Sequence, residues 1–252
     1  MTSSAPTLVE DFQKYFTLEL VSTPEHLKAV CRIRYRVYCE EFGYEPRDAF
    51  PDEQEVDEFD AHSQHCLITH NATGMPAACV RLVLADDSSQ MPMEKYCSEA
   101  LDQAFVDRFA GQRHTVCEFS RLAVDGAFRR RSGERATRFG EISSLDITQR
   151  EQRTFSLIAV SAFTAAFALS DVLGRNNLFA MMETFLPRLL RRSGIVVGKV
   201  GEEMDYHGMR APYFITTQEA ADGMPGDLRD LYDNIHQSFT AEIARLGRAA
   251  DS

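Results

Sequence analysis

The sequence predicts an α/β chain built on a mixed β-sheet with helices on both faces. The order of elements along it is strand, helix and hairpin, then strand, loop and helix, then strand, helix and strands. Its 252 residues are 44% apolar and 26% charged, enough to bury a full core. No internal repeat, low-complexity linker or Pro/Gly/Ser-rich stretch divides it, so 1–252 reads as one domain with a C-terminal helical extension from about residue 225.

The elements follow from local pattern. Residues 11–21 alternate, with Phe16, Leu18 and Leu20 on one face, and predict a first strand. Thr23 then reads as an N-cap with Pro24 at the first helical position, and Leu27, Val30, Arg34, Val37, Tyr38 and Phe42 recur at helical spacing. Residues 43–61 read as an acidic loop. The segments 65–70 and 77–84, separated by the turn-forming run 71–76, predict a hairpin. A helical stretch around 101–109 precedes 115–124, whose β-branched and aromatic content suits a central strand. Beyond it the sequence predicts a long apolar helix over 154–173, a strand over 178–182 and a helix over 183–193 ending at Gly194. Further strands are expected over 195–200 and 213–216, and a last helix near 228–246.

Composition excludes several function classes. The N-terminus has neither a basic region nor a continuous apolar run, so it does not read as a signal peptide, and a cytoplasmic protein is expected. The longest apolar run, 157–169, is broken by Ser161 and Thr164 and is too short to span a bilayer. Six cysteines show no C-x-x-C pair and no ligand-like spacing with the histidines, which argues against a zinc site or a disulfide framework. A net charge of −11 disfavours nucleic acid as a partner. That charge is segregated: residues 128–138 carry five arginines against one glutamate, whereas 40–60 carry ten acids against Arg47.

Three polar clusters stand where packing alone would not place them. Arg34 occupies a slot among the apolar positions of the first helix; either its head reaches solvent, or it points inward and orders the acidic loop at Asp57 and Asp60. Arg81 interrupts an apolar strand, so it either faces water or meets a carboxylate, Asp57 and Asp60 being the candidates. Glu118, Ser120 and Arg121 share the central strand. Alternation sets Glu118 and Ser120 on one face and Arg121 on the other unless a β-bulge re-aims it. Glu118 and Arg121 form either a structural pair or a site in which a desolvated Glu118 serves as general base. The segment Arg129, Arg130, Arg131 and Gly133 is either a solvated basic turn or a seat for a phosphate on backbone amides and guanidiniums.

Together these residues resemble a known family. The run from Ile33 through Arg34, Tyr38 and Phe42 to Tyr44, then Val56 to Asp60, Cys79 to Leu82 and Glu118 to Val124, is similar to the acyl-homoserine-lactone (autoinducer) synthases and their relatives. Those relatives are the long-chain N-acyl amino acid synthases and the acyltransferases associated with PEP-CTERM/exosortase systems, all of the GNAT fold. The resemblance implies a sheet splayed at its centre and an acyl thioester donor on acyl carrier protein or coenzyme A. It implies no permanently bound cofactor or metal. It makes Arg34, Tyr38, Tyr44, Asp57, Asp60 and Arg81 the acceptor-binding set, with Glu118, Ser120 and Arg121 as the catalytic group. Arg129, Arg130, Arg131 and Gly133 would receive the donor phosphate and suit an acidic carrier protein as partner.

The chain departs from the autoinducer synthases in carrying Tyr38 and Tyr44 and in the stretch from Asp205 to Tyr213, which looks more like the exosortase-associated relatives. The expected activity is therefore transfer of a medium or long fatty acyl group to the amine of a small amino-acid-like acceptor by direct attack. Lactone synthesis from S-adenosylmethionine is the first alternative, and a non-catalytic acyl-binding module the second. His207 is either a structural loop residue or an aid to proton transfer. The apolar side chains of 154–173 and 179–190 are candidates for an acyl tunnel, with core packing as the competing role.

Overall fold

The computed structural model describes residues 7–128 and 158–250. The alternation over 11–21 predicts a strand, but the structure makes Leu8–Tyr15 a helix, α1, and leaves only Phe16–Leu20 as strand β1. The deciding signal is Thr7, whose side chain accepts from the Glu10 amide while the Glu10 carboxylate accepts from the Thr7 amide. That capping box starts a helix, and burial of Phe12 holds it down.

Helix α2, Pro24–Arg34, begins as predicted, with the Thr23 side chain accepting from the His26 amide. Past Arg34 the coil widens into a π-helix over Tyr35–Glu41, which no sequence pattern signalled. The acidic loop follows, broken by 3₁₀ turns at Arg47–Ala49 and Glu58–His62. Strands β2, Ser63–His70, and β3, Pro76–Leu84, form the predicted hairpin. Two short helices come next, α3 at Pro92–Tyr96, not anticipated, and α4 at Gln103–Asp107. Strand β4 spans Val116–Val124.

Helix α5, Ile158–Val172, is buried from Ile158 through Ser170, as an all-round apolar helix must be. Strand β5, Asn177–Glu183, leads to α6, Leu186–Arg192, shorter than the predicted 183–193. Gly194 follows at φ +81°, and a Cβ there would stand 1.9 Å from the Gly223 carbonyl oxygen, so only glycine fits. The region 195–200 yields only the two-residue β6, Gly198–Lys199, while the strand predicted at 213–216 starts earlier. It is β8, Met209–Thr216, paired through a tight turn with β7, Met204–Asp205. Helices α7, Thr217–Gly223, and α8, Gly226–Ala250, complete the chain.

The strands form one open sheet in the order β1-β2-β3-β4-β5-β8-β6, with β7 against β8. Every pairing is antiparallel except β4 with β5. That parallel pairing is short: it runs from Val116 opposite Asn177 to Phe119 opposite Ala180 and stops, although β4 continues to Val124 and β5 to Glu183. The sheet is therefore splayed at its centre, as expected.

On one face, α1, α5, α7 and α8 bury the main core, including Phe16, Phe128, Phe167 and Phe239. Fully burying each such side chain contributes about 2–3 kcal/mol. The opposite face carries α2 against Leu67, Cys79 and Ala123, and α3 with α4 against Val116 and Phe179. Among the described residues, no helix is long and apolar enough to cross a membrane.

Candidate active site

Three arginines and three carboxylates interlock under the splay. Arg34, fully buried on α2, donates through Nη1 and Nη2 to both oxygens of Asp60, at 2.6 and 3.1 Å, and through Nε to Glu55. Arg81, fully buried on β3, donates through Nη1 to Asp57 at 2.5 Å and to Asp60 at 2.8 Å, and through Nε to the Ser120 hydroxyl at 2.9 Å. Arg121 donates through Nε and Nη2 to one oxygen of Glu55, at 3.1 and 2.9 Å, and stands 3.1 Å from Asp57. The 3₁₀ turn at Glu58–His62 holds the acids in place: the Asp57 carboxylate accepts from the Phe59 amide, and Asp60 accepts from the Asp57 amide.

Such a network survives burial because each charge meets several opposite ones. Burial alone would raise the carboxyl pKa values, but the guanidiniums outweigh it. Arg34 and Arg121 hold Glu55 below the usual range, Arg81 does the same for Asp57, and Arg34 with Arg81 hold Asp60 far below it. His65, opposite Arg81 on β2, has its pKa pushed down to about 4 by burial and by the Arg34 charge, so it stays neutral beside the network.

Arg121 reaches this cluster only because β4 is bulged. Arg81 pairs with Ser120 and Cys79 with Ala123, so Val80 opposes both Arg121 and Leu122. Arg121 takes up the extra residue at φ +49°, a left-handed conformation rare for a side-chain-bearing residue. Strict alternation, which sends Arg121 to the far face, is corrected by this bulge: Ser120 and Arg121 both face the acidic loop. The Leu122 carbonyl accepts from the Tyr38 hydroxyl at 2.9 Å, and the Arg121 guanidinium lies 5.4 Å from the Tyr38 ring centre.

Glu118 stands apart from the ion network. It is 2% exposed, and its carboxylate accepts from the Met93 amide at 2.9 Å. Burial pushes its pKa up to about 8, and neither that hydrogen bond nor the charges of Arg81 and Arg121 reverses the shift. A carboxyl balanced between protonation states near neutral pH can accept a proton and hand it on.

Glu118, Ser120, Arg121 and Leu122 on β4, with Met181, Met182 and Glu183 on β5, wall a cleft that opens where the two strands part. It encloses about 750 Å³, open to solvent, and is completed by Tyr38, Glu45, Met93, Cys97, Phe163 and Leu186 and by the β7–β8 turn with Tyr206, His207 and Arg210. Phe163 and Met182 also line a second, narrow apolar pocket of about 250 Å³, open to solvent, with Phe167 and Leu190 on its wall. Of the cysteines, Cys97 lines the cleft, and burial lifts its thiol pKa to about 11, a poor setting for a thiolate nucleophile.

Residues 33–138 match the acetyltransferase (GNAT) domain. The chain has the GNAT fold. Among solved structures it is similar to LasI, an AHL synthase, with a TM-score of 0.54 at 18% identity over 84% of this chain and 97% of that one. BjaI, a CoA-dependent acyl-homoserine lactone synthase solved with SAM and isopentyl-CoA, gives a TM-score of 0.56 at 16% identity over 87% of this chain and 89% of that one. FeeM, an N-acyl amino acid synthase from uncultured soil microbes, gives 0.53 at 13% identity over 83% of this chain and 94% of that one. No curated protein matches the chain in sequence.

The GNAT chain thus gathers Arg34, Asp57, Asp60, Arg81, Ser120 and Arg121 into one cluster, with Tyr38 beside it. Only Tyr38, Ser120 and Arg121 of these wall the cleft; Arg34, Asp57, Asp60 and Arg81 stand behind it as its scaffold. Tyr44 packs in an aromatic group with Tyr38, Phe42 and His207. Arg129, Arg130, Arg131 and Gly133 lie outside the described residues. Sequence reading missed Glu55, 1% exposed and joining Arg34 to Arg121, because eight acids in one loop offer no sign of which turns inward. It also missed Glu45 and Arg210 on the cleft wall, which only the folding of loop and hairpin over the splay brings there.

Proposed function

We propose that the chain is an N-acyltransferase that moves a medium or long fatty acyl group from an acyl carrier protein or coenzyme A thioester to the amine of a small amino-acid-like acceptor. The observation that carries this reading is Glu118, a buried carboxyl with a pKa near 8 at the floor of a cleft formed where two parallel strands part. The thioester arm enters between β4 and β5, where the two strands beyond Phe119 and Ala180 no longer pair with each other and backbone groups facing the gap can hold the carbonyl and the oxyanion that develops on it. The acyl chain runs past Phe163 and Met182 into the apolar cavity.

Glu118 takes the proton of the acceptor ammonium, and the freed amine attacks the carbonyl. The tetrahedral intermediate then collapses to amide and thiol. Arg121 and Ser120, held by Glu55 and Arg81, fix the bulged strand that shapes the reacting end of the cleft. Arg129, Arg130, Arg131 and Gly133 are the proposed seat of the donor phosphate and of an acidic carrier, and the reaction is placed in the cytoplasm.

Purified protein given acyl-coenzyme A or acyl-carrier-protein donors and a panel of amines should release free thiol and form amides detectable by mass spectrometry. Absence of thiol release with every donor and amine would remove the enzymatic reading. Methylthioadenosine released from S-adenosylmethionine would instead mark lactone synthesis.

A further inference from the structure

The arginine-rich stretch 128–138 is one of two basic blocks in the chain. From Thr184 to Gly201 the sequence carries Arg188, Arg191, Arg192 and Lys199 and no acid, against a net charge of −11 for the whole. This second block forms α6 and the turn into β6, and acyl transfer as set out above gives its cations no task.

Helix α6 has two faces with different surroundings. Inward, Leu186 walls the cleft and Leu190 walls the apolar pocket, and both are buried. Outward, Arg188, Arg191 and Arg192 are exposed, and among the described residues none of the three meets a carboxylate. Lys199 differs in pairing with Glu203 at 3.5 Å. Spacings of three and four set Phe185, Arg188 and Arg192 along one stripe, and Phe185 is 39% exposed. Past the helix, the turn at Gly194 leaves Ile195 buried, Val196 58% exposed and Val197 on the wall of the apolar pocket. The outer surface thus mixes guanidiniums with large apolar side chains and adjoins the lining of the pocket at Val196 and Val197.

A cationic patch on an acidic body orients the molecule, because an anionic surface attracts this side and repels the rest. Apolar side chains set among arginines suit anionic headgroups that cover hydrocarbon: the guanidiniums reach the headgroups while Val196 and Phe185 enter beneath them. A fatty product leaving the pocket also needs an apolar medium, since each methylene carries about a fourfold penalty for entering water.

We propose that the outer face of α6, with Arg188, Arg191, Arg192 and Val196, docks on an anionic lipid bilayer and brings the apolar pocket against it. The contact is peripheral, no described helix being long and apolar enough to cross. Delivery of product to the bilayer rests on the acyl-transfer reading above; the docking rests on the patch alone.

The test floats the full chain on a density gradient with vesicles of phosphatidylcholine, alone or with one-third phosphatidylglycerol. Wild type should rise with the anionic vesicles, stay behind with the neutral ones, and be released as salt increases from about 0.05 to about 0.5 M. Each arginine near the surface is worth about fivefold in partition, so R188Q/R191Q/R192Q should bind roughly 100-fold more weakly and R191Q about fivefold. V196D should also weaken binding, whereas R245Q, exposed on α8, should leave it unchanged. R191Q carries the comparison if the triple variant does not fold by circular dichroism.

Equal flotation with both vesicle types, none with either, or undiminished binding of the triple variant would overturn the proposal. No vesicle binding, joined to a raised KM of the triple variant for acyl carrier protein, would overturn it by giving the face to the carrier. Flotation without turnover on any donor leaves the docking standing and removes acyl transfer alone. Turnover by a chain that never floats does the reverse.

Discussion

Arg121 and Glu55, 66 residues apart in the chain, meet through two N–H···O bonds of 3.1 and 2.9 Å to one carboxylate oxygen, while Arg34 donates to the other. Glu55 is therefore the hinge of the network: it joins the bulged strand to α2 through a loop with little regular structure of its own. E55Q keeps the shape but removes the charge that two buried guanidiniums share. It should destabilise the protein by about 3–5 kcal/mol, read as a lower denaturation midpoint in urea. An unchanged midpoint would mean the network contributes little to the fold.

The same three acids set the acid limit of the protein. Glu55, Asp57 and Asp60 have folded-state pKa values below their unfolded ones, so the stability they add is present above the ordinary carboxylate range and is lost as pH falls through the lowered values. Wild type should lose stability steeply below about pH 4. E55Q, already lacking one of these titrations, should show a shallower loss. Equal slopes in paired urea titrations from pH 6 to pH 3 would contradict this.

Glu118 has the opposite sign. Its folded pKa, about 8, lies above the unfolded value, so its contribution is full below the ordinary carboxylate range and declines as pH rises through 8. E118Q, which keeps an acceptor for the Met93 amide and never ionises, should match wild type in melting temperature at pH 5 and exceed it at pH 9. The difference should be on the order of a few kcal/mol at most. Activity should move the other way: with Glu118 as base, kcat/KM climbs about tenfold per pH unit on its acid side and levels off near pH 8, and E118Q loses roughly 10²–10⁴-fold. An E118Q enzyme that retained full turnover would return the proton transfer to another group.

Much of this was legible from residue pattern, and the gaps have physical causes. Thr23 and Pro24 announce α2, and the run 71–76 announces the hairpin, because caps and turns are local chemistry. Arg34 and Arg81 could be singled out because a charge in an apolar run demands a partner. The helix at 8–15 was hidden because Phe12, Phe16, Leu18 and Leu20 also fit a period of two, and the Thr7–Glu10 cap outweighs that pattern. The π-helix over 35–41, the buried Glu55 and the placing of Arg210 depend on contacts between distant segments, and no local period encodes them.

The wall shared by the cleft and the apolar cavity makes acyl length testable. Phe163 and Met182 border both spaces, so on the proposed reading an acyl chain reaching from the splay toward Phe167 and Leu190 would run past them. Each methylene buried beyond that point adds about 0.8 kcal/mol, which is roughly a fourfold gain in kcat/KM per carbon. M182F replaces a flexible side chain with a rigid ring at the passage and should flatten that gain, leaving short donors unaffected while long ones lose their advantage. A series of acyl donors from four to sixteen carbons, assayed for amide by mass spectrometry, reads the slope directly. A chain-length profile identical to wild type would mean the acyl group leaves the cleft by another route, and the apolar pocket would then be only a packing defect.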